Sequence, residues 1–73
     1  MQYGLNKKPA DWMQEMAQRH KMLRKQAGFT QSELARRSGV SLGSLKRFET
    51  SGQISIQSLF LLIDVLGRLD DFD

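Results

Sequence analysis

The chain has no cysteine, one histidine and one proline in 73 residues. Without cysteine or clustered histidine, neither disulfides nor a zinc site can staple the fold. A domain this short buries only ~60% of its unfolded surface, so added stability must come from helix packing or from a second copy. Cysteine absence also fits a cytoplasmic protein. No N-terminal stretch has the charged-then-apolar form of a secretory signal. The longest apolar run, residues 59–63, is far short of the ~20 residues a membrane span needs. No catalytic constellation is present either: one histidine, no cysteine and no glycine-rich phosphate loop after a strand. We therefore expect a soluble, non-enzymatic domain with no cofactor and no metal. His20 stands alone, at the edge of a helix face. Asp70, Asp71 and Asp73 lack the spacing of a calcium loop and read as repelling a polyanion or capping a last turn.

What is present is charge, unevenly placed. Between Arg19 and Arg47 lie eight cations and one acid, Glu33, a net of +7, whereas residues 64–73 carry −3. That asymmetry suits a polyanion partner for the middle of the chain, with a solvated surface as the alternative.

Apolar spacing and caps predict four helices. Residues 1–8 lack periodicity and read as a flexible arm before a domain at 9–73. Pro9 suits a helix's first turn. Trp12, Met16, His20 (or Arg19), Leu23 and Ala27 then mark one face. Trp12 reads as a core anchor, with a dimer contact as the alternative, and the methionines as core filler. Gly28 supplies a left-handed stop, with Phe29 folding back on Leu23. Thr30-Gln31-Ser32-Glu33 forms a capping box opening a second helix that stops at Gly39. Ser41 caps a third helix, ending near Thr50, and Ser55 caps a fourth over 56–66.

That fourth helix is apolar nearly all round. Ile56, Leu59, Phe60, Ile63 and Leu66 share one face, assigned to the core. Leu61, Leu62 and Val65 lie on the other side, and with Leu69 they are the expected dimer interface, because one small domain does not easily cover both sides.

Residues 31–50 satisfy the joint demands of a helix-turn-helix. Ala35 is small where two helices cross closely, Gly39 tolerates positive φ in the turn, and Leu34, Val40, Leu45 and Phe48 form an inward seam. The run FTQSELARRSGVSLGSLKRFE resembles the lambda-repressor-like, or xenobiotic-response-element (XRE), helix-turn-helix regulators. The matching features are TQ opening the second helix, LA within it, the GVS turn and Phe48-Glu49, and the resemblance covers about residues 23–67.

The resemblance implies an all-α bundle of four or five helices that binds double-stranded DNA as a homodimer at a near-palindromic operator, acting as a repressor at the nucleoid. Members often continue into a fifth helix, so a chain ending at Asp73 is expected to be cut short. Gln31 matches the position that holds a phosphate at a helix N-terminus. Leu42, Gly43, Ser44 and Arg47 match the positions presented to base edges. Arg47 is suited to guanine and Ser44 to several bases, while Leu42 can only touch a thymine methyl. Ser41 and Lys46 are expected on phosphate, as is Arg36, for which a solvated face is the alternative. With Leu42 and Gly43 nearly mute, DNA shape and the arm at Lys7 and Lys8 are expected to share in specificity. Arg24 and Glu49 match a buried ion pair tying the first helix to the third. The alternative function is an antitoxin or adaptor holding a toxin or other partner protein through the fourth helix while autoregulating its promoter.

Overall fold

In the computed structural model, which describes residues 7–70, the chain folds into α1 (Pro9–Gln26), α2 (Gln31–Ser38), α3 (Leu42–Ser51) and α4 (Ile56–Asp70). Each boundary has a local cause. Pro9 sits at the first turn of α1, where the Lys8 N–H donates to Asp11 Oδ2 at 2.9 Å. At the other end the Phe29 N–H donates to the Arg24 carbonyl and the Gly28 N–H to that of Lys25. Gly28 makes this double closure with φ of +83°. Thr30 and Glu33 then exchange side chain and backbone as expected: Glu33 N donates to Thr30 Oγ1 at 3.1 Å, and Thr30 N to Glu33 Oε1 at 2.9 Å. Ser41 Oγ accepts from Ser44 N, and Ser55 Oγ from Ser58 N, each at 3.1 Å.

Gly52 answers a demand that its place in a turn does not reveal. Its φ is +83°, and a Cβ built there would lie 2.7 Å from the Met13 carbonyl carbon. The end of α3 thus rests directly on the backbone of α1.

The core is formed by Ala17, Leu34, Ala35, Val40, Leu45, Phe48 and Leu62, with Phe29, Leu42, Ile54, Leu59, Val65 and Leu66 packed against it. The seam expected of the helix-turn-helix is therefore buried as a unit. α3 is held between α1 and α2, and α4 docks on α2.

Two helix faces differ from expectation. Leu62, assigned to a dimer interface, is fully buried within the single chain, and Val65 is half-buried beside it. Ile56, Phe60 and Ile63, assigned to the core, are exposed. In a helix apolar on both sides, periodicity leaves the azimuth undetermined, and here docking on α2 chose Leu62. Leu61 stays exposed, and Leu69 lies within α4 with its side chain outside the described set.

The buried line of α1 is Ala17, His20 and Arg24, not the stripe through Trp12, Met16 and Leu23. α1 meets α3 through a polar cluster as well as through Ala17 and the Met13 backbone, and a hydrophobic count cannot register the polar part. Trp12 is accordingly half-exposed rather than a core anchor, with Lys7 Nζ 4.9 Å from its ring centre. Leu23 is also exposed, while Phe29 packs on the core beneath the Arg37 guanidinium. Of the proposed arm, only Lys7 and Lys8 fall among the described residues. Lys7 is paired with Glu15 at 2.6 Å. Among the described residues no helix is long and apolar enough to cross a membrane.

Candidate nucleic-acid interface

Burying Leu45 and Phe48 fixes the roll of α3, so the opposite positions must face outward. Gly43, Ser44, Lys46 and Arg47 are all exposed, as is the cap residue Ser41. Leu42 is half-buried against the core, so only part of its side chain remains available for contact. Arg47 has no ion-pair partner among the described residues. It borders a hollow of about 280 Å³ shared with Ser44 and Ser55, which leaves its side chain free space. The Ser41 and Ser44 hydroxyls lie 2.8 Å apart, so Ser41 is committed to the helix cap and Ser44 is the better placed of the two for an outside contact.

Behind this face lies a buried polar cluster centred on Glu49. Arg24 meets its carboxylate in a two-pronged arrangement, with Nε to Oε2 at 2.8 Å and Nη2 to Oε1 at 3.0 Å. Arg24 Nη1 also donates to the Phe29 carbonyl at 2.7 Å, just past the end of α1. The pair implied by resemblance is thus present, and both side chains are almost fully buried.

Two further members escaped sequence reasoning. Gln31 Nε2 donates to Glu49 Oε1 at 3.0 Å, so the residue at the head of α2 is braced from inside the domain. The amide's second N–H takes no part in that bond and can still serve an anion. His20 places Nδ1 3.2 Å from Glu49 Oε2, misaligned for a hydrogen bond, and stacks edge-on against Phe48 with ring centres 5.1 Å apart. A lone histidine on a mixed helix face gives no sequence signal for such a role.

Burial by itself would push the Glu49 carboxyl up. The hydrogen bonds from Arg24 and Gln31 and the Arg24 charge outweigh it, and the pKa falls below its ordinary value. Burial lowers the His20 pKa despite the attraction of Glu49, so the ring is neutral at neutral pH.

The cluster also revises the reading of charge. Arg24 is neutralised by Glu49, which lies just beyond the basic stretch, and Arg37 is drawn onto Phe29, its guanidinium 4.9 Å from the ring centre. Arg36, Lys46 and Arg47 remain exposed and without ion-pair partners among the described residues. Lys46 and Arg47 belong to the outward side of α3, and Arg36 to α2.

A short helix braced at its head, a tight glycine turn and a second helix with a polar, cationic outer face define a helix-turn-helix DNA-binding domain. The family comparison agrees: the HTH_3 model, described as helix-turn-helix, matches residues 21–72. The chain belongs to this family, the XRE or lambda-repressor-like group, whose domains bind DNA and are not enzymes. Neither the comparison with curated proteins nor that with solved structures gives a match.

Proposed function

We propose that this protein is a sequence-specific transcriptional repressor that binds a near-palindromic operator as a homodimer. The observation that supports it best is the outer face of α3, where Gly43, Ser44 and Arg47 are exposed in the part of the helix that would enter a major groove. In this reading Arg47 forks onto a guanine and Ser44 adds a tolerant hydrogen bond. Gly43 admits close approach, and Leu42 touches at most a thymine methyl. Gln31, Arg36 and Lys46 hold phosphates, and Ser41 acts chiefly by keeping α3 capped. A dimer places two such helices about 34 Å apart, in successive major grooves on one side of the duplex. The antitoxin or adaptor reading leans on the apolar surface of α4, which is offered equally to a second copy.

Fluorescence anisotropy with random and selected duplexes, across a salt series, tests the reading. The logarithm of the binding constant should fall linearly with that of salt, with a slope of about −0.9 per phosphate neutralised. Sequences selected from a random pool should converge on inverted half-sites. Absence of binding at ~50 mM salt would refute DNA binding altogether, while convergence on a single asymmetric site would refute the homodimer on its operator.

A further inference from the structure

We propose that a second copy of this chain docks in the groove between α1 and α4, with the Ile56 and Phe60 ridge of each copy seated in the groove of the other. This rests on the homodimer reading above and names the surface that would form it. α1 is held by α3, and α4 by α2, so α1 and α4 are left facing each other across an open groove of about 710 Å³. Met16, Leu23 and Ala27 line one side, with the polar Arg19 and Gln26 among them; Leu59, Ile63 and Leu66 line the other.

Beside the groove, Ile56 and Phe60 stand one helical turn apart and are 73% and 63% exposed, and Ile63, on the groove wall itself, is 48% exposed. A concave and a convex apolar surface therefore lie side by side on one face. That is the self-complementarity a two-fold contact requires, because one rotation fills both grooves at once.

The area is of the right order. Ile56, Phe60, Ile63, Met16 and Leu23 together leave roughly 600 Å² in water, against the ~800 Å² that each partner contributes to a stable interface. A single chain rarely exposes a larger contiguous apolar patch than that. A small ligand would cover the groove lining and leave Ile56 and Phe60 in water, so it would satisfy only half of the surface. The docking site differs from the Leu61, Leu62 and Val65 face, whose centre the fold itself has buried.

Sedimentation equilibrium of the full chain, compared with Phe60→Glu and Leu61→Lys, tests the proposal. We expect a wild-type dimer and a dimer retained by Leu61→Lys. Phe60→Glu should dissociate at least ~100-fold more readily, with unchanged helical circular dichroism. Because the chain has no cysteine, introduced thiols report contacts cleanly even where a charged variant folds poorly. An oxidised mixture of Leu23→Cys and Phe60→Cys proteins should give a mixed disulfide dimer in higher yield than either alone.

A wild-type dimer that Phe60→Glu leaves intact, or that Leu61→Lys dissociates instead, would overturn the groove proposal and spare the homodimer reading. A wild-type monomer at high concentration would overturn both. If a hydrophobic dye then fluoresced in the groove, that surface would belong to another occupant.

Discussion

Replacing Glu49 by alanine should remove a large part of the domain's stability. The carboxylate takes three hydrogen bonds, two from Arg24 and one from Gln31, and lies against His20. Without it the Arg24 guanidinium keeps only the Phe29 carbonyl as a partner while remaining almost fully buried. Stranding a buried charge in this way costs about 3–5 kcal/mol. A domain of this size has roughly 4–11 kcal/mol in total, so the variant should sit near its unfolding threshold.

The two halves of the pair should not behave alike. Arginine cannot shed its proton, so Glu49→Ala leaves a permanent charge. In Arg24→Met the orphaned carboxylate can take up a proton instead, and the defect should shrink as pH falls. The double variant Arg24→Met/Glu49→Ala strands neither charge and should be more stable than Glu49→Ala alone. Urea unfolding followed by far-ultraviolet circular dichroism, near neutral pH, measures all four corners of the cycle. A cost below ~1 kcal/mol for Glu49→Ala, or a double variant as unstable as the sum of the singles, would refute the reasoning.

Two other contrasts follow from the same geometry. Arg47→Ala should weaken binding to the selected site by about 1–3 kcal/mol and relax preference at one base pair, whereas Gln31→Ala should weaken all duplexes alike; competition binding checks this, and an unchanged site for Arg47→Ala would displace it from base reading. Gly52→Ala should cost roughly 2–5 kcal/mol, because it combines a disfavoured positive φ with a backbone clash, while Gly39→Ala, with φ of +81° and nothing within 4 Å of a new Cβ, should cost only ~1–2 kcal/mol. Equal thermal shifts for the two would show that the contact with Met13 does not matter.

Stability should also fall as the solution is acidified, in two stages. His20 has a folded pKa below its ordinary 6.5, so the unfolded chain binds the proton first and stability begins to decline as pH drops through 6.5. Glu49 has a folded pKa below 4.5, so a second decline begins there. His20→Phe should remove the upper stage, as read from urea midpoints against pH. A wild-type profile flat between neutrality and pH 5 would contradict the neutral buried ring.

The legible parts of this fold were those written in local chemistry. Thr30 with Glu33, Ser41, Ser55, Gly28 and Gly39 each act within a few residues of themselves, so the capped helix boundaries followed from the sequence nearly residue by residue. The far end of α4 did not: expected at Leu66, the helix runs on to Asp70. The seam of Leu34, Val40, Leu45 and Phe48 was equally readable, because a glycine turn of fixed length allows those side chains one way to meet. The azimuths of α1 and α4 were not readable. On α4, Leu62 and Phe60 are equally apolar, and only the position of α2 decides which is buried. On α1, the helix turns inward a polar line, His20 and Arg24, whose partner Glu49 lies in another helix. Resemblance supplied the Arg24–Glu49 pair, but nothing in the chain's pattern pointed to His20 or to the inward bond of Gln31.

That bond links the fold to the proposed DNA contact. An apolar core fixes which way α3 faces, but greasy contacts tolerate small slips along a helix axis. Hydrogen bonds do not, because their strength falls steeply with distance and angle. Glu49 is on α3, Arg24 on α1 and Gln31 at the head of α2, so one carboxylate sets the three helices against each other through directional bonds. The proposed phosphate anchor at Gln31 and the proposed base reader at Arg47 are therefore tied through Glu49, two residues beyond Arg47 on the same helix. Glu49→Gln keeps the shape and removes the charge, and it separates this positioning role from a role in stability alone. A loss of affinity for the selected operator larger than that for random duplex, at a temperature where the variant is fully folded, is the expected result. Equal losses on both duplexes would reduce Glu49 to a stabilising residue.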